Sequence, residues 1–220
     1  QNCIFNIIAP FVKQIGEKQF QQNDKLFYVY SPKLKKICNQ GFYMCQNLFC
    51  ISGNNINHIE DSAFYRCHNL QEVSCKNTKS IGDHAFLGCS ILEFTSDFVK
   101  SLPRSVFTHC TSLRQISMSR ATVVSSSAFI GCENLEFLDF PKLEMKNFYL
   151  DLAKIKVSER THGSWKNNCK VYEQIPFQSH EIQEFTQRRV KKMLNYQFDI
   201  DLIEYETEQN YKQQNDHFVA

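Results

Sequence analysis

The sequence predicts an α/β solenoid: a stack of 21–22-residue coils, each adding one short strand to a parallel sheet, followed by a helical tail. Three observations carry that expectation. A frame, apolar-x-x-x-small-Phe-x-x-Cys-x-x-Leu, recurs down the chain, with Phe42, Phe64, Phe86, Phe107 and Phe129 at its centre. Its cysteines are Cys45, Cys67, Cys89, Cys110 and Cys132, and its leucines are Leu48, Leu70, Leu92, Leu113 and Leu135. From about Phe177 the frame gives way to a stretch rich in Gln, Glu, Lys and Arg.

The first recognisable coil holds Ile15, Phe20, Leu26 and Val29, with Asn23 at the cysteine place. Ile4 and Ile7 match Leu26 and Val29 one period earlier, so the chain is expected to start inside a coil of a longer repeat array. Five residues before each phenylalanine stands Ile37, Ile59, Ile81, Leu102 or Val124. Just before it stands Gly41, Ala63, Ala85, Val106 or Ala128, mostly small, as a crowded inner turn requires. Segments such as Asp61-Ser62-Ala63-Phe64 are expected to form a short helical or 3₁₀ piece opened by polar capping residues.

Each leucine opens a strand pattern, clearest in Leu113-x-x-Ile116-x-Met118 and Leu135-x-x-Leu138-x-Phe140, with Leu70-x-x-Val73-x-Cys75 close behind. Beyond Phe140-Pro141 the frame degrades through Leu143, Phe148, Leu152-x-x-Ile155-x-Val157, Trp165 and Cys169-x-Val171, as a terminal cap does. The expected organisation is therefore a solenoid over 1–175, with regular coils at 15–140 and capping coils at 141–175. Residues 176–220 form the tail. Ile182, Phe185, Val190, Met193 and Leu194 approximate one helical face there, and the end is polar enough to stay disordered.

Composition narrows the function. A formal charge of +2 on 220 residues lacks the basic excess of a dedicated nucleic-acid binder. The first ten residues have no basic n-region and too short an apolar run for a membrane span. Five of the ten cysteines belong to the repeat, where free Cys acts as a small buried hydrophobe, so a ladder of reduced thiols is expected. The rival is a set of cross-coil disulfides. Coils about 4.8 Å apart are within bridging reach, though parallel in-register side chains are poorly aimed for it.

At these residues a likeness emerges. The units Ile59-Glu60-Asp61-Ser62-Ala63-Phe64-Tyr65-Arg66-Cys67-His68-Asn69-Leu70-Gln71-Glu72-Val73 and Ile81-Gly82-Asp83-His84-Ala85-Phe86-Leu87-Gly88-Cys89 resemble BspA-type leucine-rich repeats, found in bacterial and protist surface antigens. The resemblance spans roughly 15–140, and loosely reaches 175. It implies a leucine-rich-repeat horseshoe, no enzymatic activity, no cofactor and adhesion to a protein. Most coils lack the Leu-Pro that often follows the strand in that family; Leu102-Pro103 and Phe140-Pro141 resemble it.

Catalytic and metal motifs are sparse. No Gly-rich phosphate loop, HExxH or GxSxG occurs, and the histidines fall mostly at variable coil positions. Cys45-x4-Cys50, Cys67-His68 and His109-Cys110 lack the CxxC spacing that brings two thiolates to one zinc. Arg188-Arg189-Val190-Lys191-Lys192 reads as a solvated helix face, with anionic lipid or nucleic acid as the rival.

What remains is the strand surface. Because strand side chains alternate, the concave face is expected to display Phe27, Tyr28, Tyr30, Phe49, Glu72, Glu93, Phe94, Arg114, Gln115, Glu136 and Phe137. Aromatics beside small polar residues suit a protein or peptide ligand. The expected function is a non-enzymatic protein-binding module, monomeric or part of a longer array, with surface display and adhesion implied by the resemblance. The alternative is an intracellular scaffold whose helical tail engages the partner. N-x-S/T acceptor sites are missing, which leans toward the cytoplasm, while the resemblance leans toward the cell surface.

Overall fold

A computed structural model describes residues 5–53, 55–143, 156–157 and 170–171. The chain divides into two units, Gln1–Ile175 and Pro176–Ala220, and every described residue belongs to the first. The strands of the first coils are β1 (Phe5–Ile8), β2 (Gln14–Ile15), β3 (Leu26–Tyr30), β4 (Lys36–Ile37), β5 (Cys50–Ser52), β6 (His58–Ile59), β7 (Glu72–Val73) and β8 (Ser80–Ile81). Those that follow are β9 (Glu93–Ser96), β10 (Ser101–Leu102), β11 (Gln115–Met118), β12 (Val123–Val124), β13 (Phe137–Asp139), β14 (Lys156–Val157) and β15 (Lys170–Val171).

Each regular coil supplies two strands, not one. The first strands of successive coils pair in parallel as β1-β3-β5-β7 and again as β9-β11-β13-β14-β15. The two-residue second strands stack as β2-β4-β6-β8 and β10-β12. They carry the apolar residue five before each phenylalanine. Strands β14 and β15 fall where the degenerate coils were expected to have them.

The expected α/β class is corrected to an all-β solenoid, because no helix forms among the described residues. The segments around each phenylalanine are turns. Their backbone enters the left-handed region two residues before and two after the ring: Gln40 and Met44 around Phe42, Ser62 and Arg66 around Phe64, His84 and Gly88 around Phe86, Ser105 and His109 around Phe107. A right-handed helix cannot pass through such residues. Alternate amides reach forward to the next coil instead, as in Phe42 N–H to Ala63 C=O (2.9 Å) and Met44 N–H to Tyr65 C=O (2.7 Å). The intervening amides close local turns, as Tyr43 N–H does on Gln40 C=O (3.0 Å). The turns thereby form a third intercoil ladder. The predicted helical tail lies outside the described residues, as do Phe148, Leu152, Trp165 and the basic run at 188–192.

The interior is a set of columns. Phe42, Phe64, Phe86 and Phe107 have no solvent exposure. The rings stack from Phe20 to Phe129 with centroids 5.2–5.8 Å apart in successive coils. Beside them each frame thiol donates to the phenylalanine carbonyl one coil back: Cys45 to Phe20 (2.8 Å), Cys67 to Phe42, Cys89 to Phe64, Cys110 to Phe86 and Cys132 to Phe107 (each 3.0 Å). The cysteine is thus more than a small hydrophobe: it serves a buried acceptor without adding a longer side chain. The eight described cysteines are free thiols.

One coil departs from the pattern. In the sheet, Ile116 pairs with Phe94 and Gln115 with Glu93, so Ile91, not Leu92, aligns with Leu113. Ile91 is buried while Leu92 is half-exposed. A single residue is therefore missing between Cys89 and Ile91, where other coils have Cys-x-x-Leu. The residues beyond it shift by one place and Phe94 turns inward, which overturns its expected position on the concave face.

Candidate functional site

The first-strand sheet has an outer surface because its side chains alternate, as the exposure of β9 and β11 shows. Interior places are taken by Val29, Ile51, Val73, Phe94, Ile116 and Leu138 in successive coils. One outer column runs Tyr28, Cys50, Glu72, Glu93, Gln115 and Phe137. The other runs Tyr30, Ser52, Ser74, Thr95, Ser117 and Asp139. A third row begins each strand segment and holds Phe27, Phe49, Arg114 and Glu136, tied by Phe49 N–H to Phe27 C=O (2.8 Å) and Glu136 N–H to Arg114 C=O (2.8 Å).

Ten of the eleven expected surface residues thus lie in these rows, but their exposure is uneven. Phe94 is 3% exposed, set edge-on to Phe86 (5.7 Å) and tilted against Phe107 (5.1 Å). Tyr28 and Phe49 are also buried, at 6% and 7%. Phe49 stacks on Phe27 at 5.3 Å, leaving Phe27 half-buried. The aromatic end of the surface is therefore largely committed to packing. Arg114 and Glu136 are exposed, and Tyr30, Glu72, Glu93, Gln115 and Phe137 are half-buried.

Electrostatics follow from that packing. Burial pushes the Tyr28 hydroxyl up to about 12, against a hydrogen bond to Ser52 that lowers it. Burial, then the charge of Glu93, raises the Glu72 carboxyl above the usual carboxylate range. Glu93 is raised by burial and partly held back by Gln115, whose Nε2 donates to its Oε2 at 2.6 Å. Two carboxyls in neighbouring coils thus sit together mid-surface. Ser117 Oγ donates to Asp139 Oδ2 at 3.1 Å, a polar pair the sequence reading left out of the site. Asp139 stands at the small polar place of its coil, which could have flagged it.

The opposite character appears where the second strands stack. Lys36 Nζ meets Glu60 Oε1 at 2.6 Å, which lowers the Glu60 carboxyl, first through that hydrogen bond. His58 Nδ1 lies 2.8 Å from Ser80 Oγ. On the turn ridge Tyr43 stacks on Tyr65 with centroids 4.8 Å apart, an aromatic pair that sequence reasoning passed over because it lies outside the strands. Among the described residues no three His, Cys, Asp or Glu side chains gather as a metal site, and no described helix is long and apolar enough to cross a membrane.

Comparison with known proteins agrees with this geometry. The model of the BspA-type leucine-rich repeat region matches residues 2–97 and 35–152. A solved leucine-rich repeat protein from Bacteroides ovatus is similar in fold, with a TM-score of 0.55 at 20% identity, over 78% of this chain and 46% of that one. The pneumococcal vaccine antigen PcpA overlaps 78% of this chain and 42% of its own at 16% identity, with a TM-score of 0.46. The chain thus spans less than half the length of either structure. No curated protein sequence matches it.

Proposed function

The chain belongs to the BspA-type leucine-rich-repeat family, and from that premise we propose that it is a non-enzymatic module that binds a protein partner along the outer face of its first-strand sheet. The observation that carries this reading is the register of β9, β11 and β13. It lays Glu93, Gln115 and Phe137 in one column, with Thr95, Ser117 and Asp139 beside it and Arg114 and Glu136 along the edge. Such a surface offers an aromatic anchor among hydrogen-bonding and charged groups, with the partner making contacts across several coils at once.

The corrected packing moves the contact region toward the later coils. Phe94, Tyr28 and Phe49 contribute to holding the sheet, and Phe137, Arg114, Gln115 and Glu136 are the contact groups. The finer reading is a surface antigen that adheres to host or matrix protein; its support is the resemblance of the Ala-Phe-x-x-Cys units.

Selection of displayed peptides on the intact chain tests the surface. Binders are expected to lose at least tenfold in affinity with Phe137→Ser or Arg114→Ala, and to be indifferent to Tyr65→Ser on the turn ridge. Binders that respond to Tyr65→Ser and ignore the strand variants would overturn the assignment. Labelling of intact source cells with a membrane-impermeant biotin reagent tests the adhesin reading, which fails if only lysed cells label.

A further inference from the structure

The missing residue between Cys89 and Ile91 also changes the opposite edge of the coil. There the turn ridge carries a notch of about 320 Å³, lined by Arg66, His68, Gly88, Ser90, His109 and Thr111, together with Leu87 and Cys89. Its origin is legible in the columns. Two places after the phenylalanine, successive coils hold Arg66, Gly88 and His109, so a long cationic side chain, none, and an imidazole follow one another. The same central coil is the one that lacks a residue after its cysteine. Gly88 and Ser90 form a low floor, and the flanking coils stand as walls.

We propose that this notch binds a tetrahedral oxyanion, a phosphate or sulfate group either free or as the ester on a larger molecule. The donors are arranged for one. Arg66 supplies a fork of N–H groups suited to two oxygens, and its guanidinium is steadied over the Tyr65 ring at 5.4 Å. His68 Nδ1 lies 3.1 Å from Gly88 C=O; a carbonyl only accepts, so Nδ1 carries a proton, and Nε2 donates to an oxyanion only in the imidazolium form. Protonated on both nitrogens, that ring becomes a second cationic donor.

His109 and Thr111 line the far wall. The Ser90 hydroxyl is committed to His68 C=O, which fixes the floor and the backbone under His68. No carboxylate is among the lining side chains. Arg66 and His68 on one side of the floor and His109 and Thr111 on the other flank the notch, so oxygens in more than one plane can be met. That arrangement suits a tetrahedral group better than a planar carboxylate. A Cβ at position 88 would lie 3.5 Å from the Arg66 Cγ and 3.8 Å from the His68 Cε1, ordinary contacts that would take up part of the floor beside these two side chains.

The test is a titration of the full chain with inorganic phosphate, sodium sulfate and glycerol phosphate at physiological salt, following the histidine Cε1–H resonances. Saturable shifts of His68 and His109 are expected. Arg66→Gln should weaken binding at least tenfold, and Lys79→Gln, an exposed cation outside the notch, should leave it unchanged. An asparagine inserted between Ser90 and Ile91 refills the coil and should also abolish binding; Arg66→Gln and His109→Asn decide the matter if that variant does not fold. Tighter binding of glycerol phosphate than of phosphate identifies an ester as the occupant, and the reverse a free ion. Shifts that never saturate, that chloride reproduces at equal ionic strength, or that survive Arg66→Gln would overturn the site.

Discussion

The strand walls and the turn ridge respond differently to the same missing residue. Across the coil that lacks it, the turn ladder runs on: Phe64 N–H reaches Ala85 C=O (2.8 Å), Phe86 N–H reaches Val106 C=O (2.9 Å) and Gly88 N–H reaches Thr108 C=O (2.8 Å). The strand ladders stop. Among the described residues no pairing joins β7 to β9 or β8 to β10, and each wall is divided into two sheets. Strands and phenylalanines alike span that coil with a 21-residue interval, Ile81 to Leu102 and Phe86 to Phe107, yet the turn hydrogen bonds bridge it and the strand pairing does not. A solenoid can thus absorb a length change at one corner while its phenylalanine and cysteine columns stay continuous. The outer face differs on either side of the division, with aromatic packing before it and exposed or half-buried polar side chains after it.

The largest test of that difference is Phe94. In the interior it should behave as Phe86 does, so Phe86→Ala and Phe94→Ala are each expected to cost about 3–5 kcal/mol in chemical denaturation. A cost below about 1 kcal/mol for Phe94→Ala would return that ring to the surface and remove the register reset. Next comes the cysteine column, which spans the division. Cys110→Ala should lose about 1–2 kcal/mol through a small cavity and the lost thiol hydrogen bond to the Phe86 carbonyl, which keeps the Cys89 N–H. A loss near zero would mean that the thiols only fill space.

A smaller effect probes the ridge. Gly88 has a φ of 71°, and its added Cβ would make only ordinary contacts. Gly88→Ala should therefore cost about 1 kcal/mol, all of it backbone strain, as measured by denaturation midpoint at constant slope. The smallest concerns Glu72 and Glu93, which face each other across the division. Both carboxyls are raised in the folded chain. Their contribution is present below the unfolded carboxylate range near pH 4 and is lost as pH rises through the raised native values. Glu60, lowered by Lys36, acts in the opposite sense, so the difference between variant and parent is what reports on the pair. Glu72→Gln is expected to raise Tm by about 2 °C at pH 7 and to change it little near pH 4, read by thermal melts. Equal effects at both pH values would dissociate the stability change from the carboxylate.

Much of this was legible in the residues. The recurring Phe, Cys and apolar places give the period, the interior columns and the parallel stacking, since only a stack buries one fixed position per coil. The 21-residue interval from Phe86 to Phe107 announced the missing residue without locating it. Leu92 fitted the frame, while Ile91 one place earlier is equally apolar, and only the pairing of Gln115 with Glu93 distinguishes them. The turns were misjudged for a different reason. Left-handed positions are usually announced by Gly or Asn, but here Lys18, Gln22, Gln40, Met44 and Arg66 adopt them because intercoil hydrogen bonds hold the backbone there. The same absence of signal hid the thiol donors, because a cysteine that donates and one that merely packs look alike in sequence.

The most direct measurement is a ring-to-ring NOE experiment on the chain labelled at phenylalanine, with a paramagnetic agent added to mark solvent-exposed rings. The register reset predicts cross-peaks from Phe94 to both Phe86 and Phe107, and a Phe94 ring as protected from broadening as theirs. A Phe94 ring that broadens with the agent and shows neither cross-peak would contradict it, and would restore an unbroken 22-residue reading of that strand.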